Sequence, residues 1–126
     1  MLATSLASKN PPSEADFRSA VSRSYYWLFH VARKRLIEIN KLDVLTTDGV
    51  HRKVQTEIMN LKRSLGEQYG KVKKLRENAD YRKISCDEPY EFDISSDWRV
   101  NWQVSQTIIN RILPSITSLK TSSPAR

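Results

Sequence analysis

The sequence holds a single cysteine, Cys86, which excludes an internal disulfide and leaves no material for a thiolate metal site. Glycine is almost as scarce: Gly49, Gly66 and Gly70 are the only three, and their spacing fits neither a phosphate loop nor a dinucleotide fingerprint. No segment approaches the roughly eighteen continuous apolar residues of a membrane span. Met1 to Pro12 lacks an apolar run of signal-peptide length. These absences predict a cytoplasmic protein that meets no membrane. The two histidines, His30 and His51, have no carboxylate cluster beside them, so neither a metal nor any other cofactor is expected.

What is present suits helices. A chain of 126 residues builds one compact domain, and a 28% charged composition with few glycines fits an all-α fold. Ser13 followed by Asp16 reads as a helix cap. A first helix is predicted from about Glu14 to Ile39, with Phe17, Val21, Tyr25, Leu28, Phe29, Ala32, Leu36 and Ile39 on one face. A second is predicted from about Asp48 to Ser64, on the stripe Val50, Val54, Ile58, Leu61 and Leu65. Gly66 and Gly70 predict a break, with a third helix from about Glu67 to Lys83. Residues Ser85 to Ser96 read as a loop packed by Tyr90 and Phe92. The last helix runs from Ser96 or Asp97 to about Leu119, with Pro114 able to kink its final turns. Its two stripes, one with Val100, Val104, Ile108 and Ile112 and one with Trp102, Ile109, Leu113 and Ile116, cover more than one core face needs. The surplus is a candidate subunit interface. The expectation is an up-and-down four-helix bundle over residues 13–119, with room for one extra short helix. Residues 1–12 are expected to form a flexible leader and residues 120–126 a flexible tail.

The net charge of +7 and a pI near 9.7 favour polyanionic partners, nucleic acid first and an acidic protein second. Between residues 52 and 83, Lys and Arg outnumber Asp and Glu ten to four. On the first helix, Arg23, Trp27, His30 and Lys34 project away from the core face. Arg23 and His30 stand about 10 Å apart along the axis, a gap that suits two groups flanking one phosphodiester with Trp27 as a stacking surface. Metal-free RNA cleavage needs a base, an acid and a cation, and His30 and Arg23 offer two of these. On the third helix Arg76 and Asp80 sit four residues apart, where they pair on one face. From there Arg76 would clamp phosphate while Asp80 orients His30 or Arg23. Tyr25 reads as core, Tyr26 as boundary, and His51 as a residue that starts the second helix. Trp27, Lys34, Lys73 and Lys74 are the candidate RNA contacts.

The pattern Arg23, Tyr25, Tyr26, Phe29 and His30, then His51, then Arg76, Ala79, Asp80 and Tyr81, resembles the HEPN domain, in particular its small stand-alone members. The resemblance spans about residues 14–118. It implies a four- or five-helix bundle, commonly a homodimer, in a family that includes metal-independent endoribonuclease toxins of toxin-antitoxin and phage-defence systems. Many such proteins are encoded beside a minimal nucleotidyltransferase that serves as antitoxin. A catalytically inactive subunit that binds such an effector, and nucleotide or RNA, is the alternative. The family's ribonuclease signature is Arg, four to six residues, then His. Here that spacing occurs at Arg23 to His30, so the resemblance implies Arg23, His30 and Arg76 as catalytic and Tyr26, Asp80 and Tyr81 as supporting residues.

Overall fold

In the computed structural model, which describes residues 12–81 and 94–121, the chain is a helical bundle with no strand among the described residues. Helix α1 spans Glu14–Glu38, α2 Val50–Leu61, α3 Arg63–Tyr81 and α4 Trp98–Thr117. The loop expected at Ser85–Ser96 falls largely outside the described residues, as do Cys86, Tyr90, Phe92 and the residues beyond 121.

Helix α1 begins on a full capping box. The Asp16 amide donates to the Ser13 hydroxyl at 3.2 Å and the Ser13 amide to the Asp16 carboxylate at 2.9 Å, satisfying two amides that the first turn leaves free. It ends where Asn40 takes a left-handed φ of 60°, with Lys41 donating to the Leu36 carbonyl at 2.8 Å and Asn40 to Ile37 at 3.0 Å. The buried face carries Phe17, Val21, Tyr25, Leu28, Phe29, Ala32 and Leu36 as the spacing predicts.

Helix α3 lies at the centre, packed on α1, α2 and α4. Arg18 meets the Asn78 carbonyl at 3.0 Å whereas Tyr25 meets Tyr69, so α1 and α3 are antiparallel. Gln55 against Gly70 and Met59 against Gly66 make α2 and α3 antiparallel as well. The first two helices run in the same direction, however: His51 touches Tyr25 and Phe29 near the middle of α1, and α2 then proceeds toward the far end of α1. Helix α4 also runs parallel to α1, with Gln106 bonded to Ser24 and the Leu119 carbonyl to Arg35. The up-and-down expectation therefore fails at the first connection. Residues 39–49 double back along α1, where Arg33 donates to the Val44 carbonyl at 2.8 Å, because that connection is too long to force a hairpin.

The break between α2 and α3 exists but lies at Lys62, whose φ of −157° and ψ of 102° are extended. Gly66 and Gly70 sit inside α3 instead. A Cβ at Gly66 would stand 2.7 Å from the Met59 Cα and closer still to its side chain, so this glycine lets the two helices touch. On α4 the apolar expectation is rotated in the first half of the helix. Asn101 and Ser105 are buried there while Val100 and Val104 are 39% and 38% exposed. Asn101 is kept inside by a reciprocal pair of bonds to the Ser95 backbone, at 2.9 and 2.8 Å. Pro114 lies inside α4, which continues to Thr117.

Alanine at Gly66 gains about 1 kcal/mol of helix propensity. It loses about 1–3 kcal/mol to overpacking, and the loss prevails because the contact is with backbone that cannot swing aside. Denaturant titration of Gly66→Ala will show a lowered midpoint. Adding Met59→Ala will make the two changes non-additive, since one contact is shared.

Candidate active site

The middle of α1, the first turn of α2 and the second half of α3 meet around Tyr25. Gly49, with a left-handed φ of 62°, occupies the cap position of α2 and turns the chain so that His51 falls in the first helical turn. The His51 ring stacks on Phe29 at 4.0 Å and an interplanar angle of 26°. Its Nδ1 lies 2.8 Å from the Tyr25 hydroxyl, and the Tyr69 hydroxyl donates to Tyr25 at 3.5 Å. His30 packs edge-on against the same Phe29 ring at 5.2 Å. Two histidines far apart in sequence thus rest on one aromatic ring.

Beneath them lies Arg76. Its side chain is 7% exposed, with the guanidinium 4.9 Å from the Tyr25 ring centroid and 5.4 Å from that of Tyr26. Asp80 pairs with it at 3.6 Å across one helical turn, as the spacing predicts. The residue expected to clamp phosphate is thus buried against two tyrosine faces.

These neighbours set the protonation of the cluster. Burial, then the positive charges of Arg76, Lys73 and His30, hold His51 below the usual histidine value. Burial raises the Tyr25 hydroxyl above the ordinary tyrosine range, against the pull of the Tyr69 hydrogen bond and the Arg76 charge. Burial, and then Tyr25, push Tyr69 up further. Both phenols stay protonated and His51 stays neutral near pH 7. The 2.8 Å bond accommodates either tautomer of His51. With the proton on Nδ1 donated to Tyr25, Nε2 keeps its lone pair.

The remaining expected residues divide by position. Arg23, Trp27, His30 and Lys34 are all exposed on α1, and Arg23 forms no hydrogen bond or ion pair with a described residue. Tyr26 and Trp27 are each 39% exposed, leaving aromatic surface beside the histidines. Lys73 and Lys74 are half-buried on α3, and Lys73 pairs with Glu77 at 3.2 Å. Tyr81 ends α3, and its side chain lies outside the described residues. Arg23 and Arg76 make no contact with each other, whereas His30, His51, Tyr25, Tyr26, Arg76 and Asp80 form one group connected through Phe29. Sequence reasoning read Tyr25 as core and His51 as a helix-start residue rather than as bonded partners, and it did not single out Tyr69, whose hydroxyl joins the group through Tyr25. The available signal was that both Tyr25 and His51 belonged to the HEPN-like pattern. No three His, Cys, Asp or Glu side chains among the described residues gather as a metal-ligand set.

The sign of the His51 shift fixes a pH dependence. A folded value below the unfolded ~6.5 means that the unfolded chain takes up the proton first as pH falls. Stability present above about pH 6.5 is therefore lost progressively below it. Ring-proton NMR will find His51 titrating below 6.5, and Arg76→Gln will move that titration upward. Comparison of the chain with protein-family models, with curated proteins and with solved structures returns no match.

Proposed function

We propose that the chain is a HEPN-type, RNA-directed protein that cleaves RNA without a metal, in the manner of an endoribonuclease toxin of a toxin-antitoxin or phage-defence system. The observation that carries this reading is the pair of histidines on Phe29, one of them oriented by a tyrosine hydroxyl above a buried arginine. In the reaction, His51 Nε2 takes the proton of a ribose 2′-hydroxyl as that oxygen bonds to the adjacent phosphorus. The bond from phosphorus to the 5′-oxygen breaks, and protonated His30 delivers its proton to the leaving oxygen. The products are a cyclic phosphate and a free 5′-hydroxyl.

Charge on the phosphoryl oxygens is met from the open side by Arg23, two turns from His30 on the same helix, and by Lys73, whose charge already reaches His51. Tyr26 and Trp27 offer stacking surface to flanking bases, and Lys34 extends the basic edge. Arg76 and Asp80 act as positioning residues through Tyr25 and Tyr26. No helix among the described residues is long and apolar enough to cross a membrane.

A second reading is favoured by the apolar edge of α4, where Val100 and Val104 remain exposed beside Gln68, Lys71 and Gln103. In it the chain is a catalytically inactive HEPN subunit. The α4 edge then meets a second copy or an effector such as a minimal nucleotidyltransferase.

Purified protein in EDTA will cleave a fluorogenic RNA. His51→Ala and His30→Ala will each lower the rate at least about 100-fold, the usual weight of a proton-transfer group, with helical content unchanged. A 2′-deoxy sugar at the scissile position will block cleavage, because it removes the attacking oxygen. Full activity in both variants eliminates the histidine assignment. No cleavage by wild-type protein, together with co-purification of a partner, selects the second reading.

A further inference from the structure

A groove of about 340 Å³ runs between α2 and α3, next to the histidine cluster but outside it. Its α3 wall carries Arg63, Lys71, Lys73 and Lys74 together with Glu67 and Glu77. These follow one another at spacings of one to four residues, and the cations from Arg63 to Lys74 span roughly 16 Å at ~1.5 Å per residue. Both acids are already engaged, Glu77 with Lys73 at 3.2 Å and Glu67 with Arg63 at 3.8 Å. Lys71 and Lys74 have no carboxylate partner among the described residues, so among those residues this wall carries two positive charges in excess.

We infer that this groove holds the phosphodiester backbone flanking the cleaved bond, so that a single RNA strand passes from the histidine face into the α2–α3 groove. The inference rests on the RNA-directed reading above and extends it by a substrate path. Continuity comes from Lys73 and Glu77, which line the groove and whose charges both act on His51. The lining chemistry selects the occupant. Met59 is the one large apolar residue in the groove, whereas protein partners anchor on apolar and aromatic side chains. Gln55 at the floor, with its amide beside Gly70, supplies a hydrogen-bonding group suited to phosphate or sugar oxygens. At the other end, half-exposed Tyr26 and Trp27 supply the stacking surface that single strands use and an acidic peptide does not.

The test is fluorescence anisotropy with non-cleavable 2′-O-methyl oligonucleotides of two and eight residues, on wild-type protein and on the Lys71→Gln/Lys74→Gln double variant. Wild-type protein will bind the octamer on the order of tenfold more tightly than the dimer. The double variant will lose that advantage, and its slope of log affinity against log salt will fall by about 1.4, at ~0.7 for each phosphate contact removed. Equal binding of both lengths by wild-type protein, or an unchanged length dependence in the variant, overturns the groove. So does displacement of the octamer by poly-glutamate of equal charge, which makes the occupant an acidic protein. Cleavage assayed on an all-ribose octamer separates the two levels. Length-dependent binding without cleavage retains the groove and rejects the nuclease, whereas cleavage with no effect of the variant does the reverse.

Discussion

The burial of the Arg76 guanidinium is the constraint on which the rest of this face depends. A charge taken out of water costs several kcal/mol unless it is compensated. Among the described residues, compensation includes the Tyr25 and Tyr26 rings at 4.9 and 5.4 Å and the Asp80 carboxylate at 3.6 Å. A desolvated cation–π contact supplies on the order of 2 kcal/mol, more than an exposed ion pair of this kind. Since both rings belong to α1 and the arginine to α3, the same contact fixes the spacing and rotation of the two helices. It also places a permanent positive charge near His51, which adds to the larger effect of burial in holding that imidazole below the usual histidine value.

The tyrosine pair works differently from a carboxylate beside histidine. An aspartate at Nδ1 would stabilise the imidazolium and raise its pKa, whereas Tyr25 is a neutral phenol whose own ionisation is suppressed by burial. The 2.8 Å bond therefore orients the ring without adding charge to it. An imidazole kept neutral in this way keeps a lone pair on one ring nitrogen at pH 7, though lowered basicity weakens its pull on a proton. His30, by contrast, is exposed to solvent and touches Phe29 edge-on. The two imidazoles thus share one aromatic ring while differing in burial.

Much of this was legible in the sequence, for reasons that differ by residue. The Ser13–Asp16 cap and the α1 core stripe are local, so spacing alone locates them. The pairing of Arg76 with Asp80 follows from one helical turn. Gly66 misled because glycine has two uses in a helical protein: it ends helices, and it admits close neighbours. Only the position of Met59 in space distinguishes the two. The first half of α4 misled because Asn101 is buried by bonds to the Ser95 backbone, a contact that no hydrophobic pattern encodes. His51 was visible as a helix-start residue. Its partners lie on a different helix, so its bond to Tyr25 was not.

That last gap traces to the path of the chain between α1 and α2. A short hairpin would have started α2 beside the end of α1, near Leu36 and Glu38. His51 would then stand about 14 Å along the axis from Phe29, nine residues at ~1.5 Å each. The left-handed Asn40 and the bond from Arg33 to the Val44 carbonyl instead carry residues 39–49 back along α1, and Gly49 turns the chain into α2 at the level of Tyr25. The parallel run of α1 and α2 is thus what brings the two histidines onto one ring. It also places the α2 side chains Gln55 and Met59 against the lysine-bearing wall of α3, so the same detour that assembles the histidine face shapes the groove leading away from it.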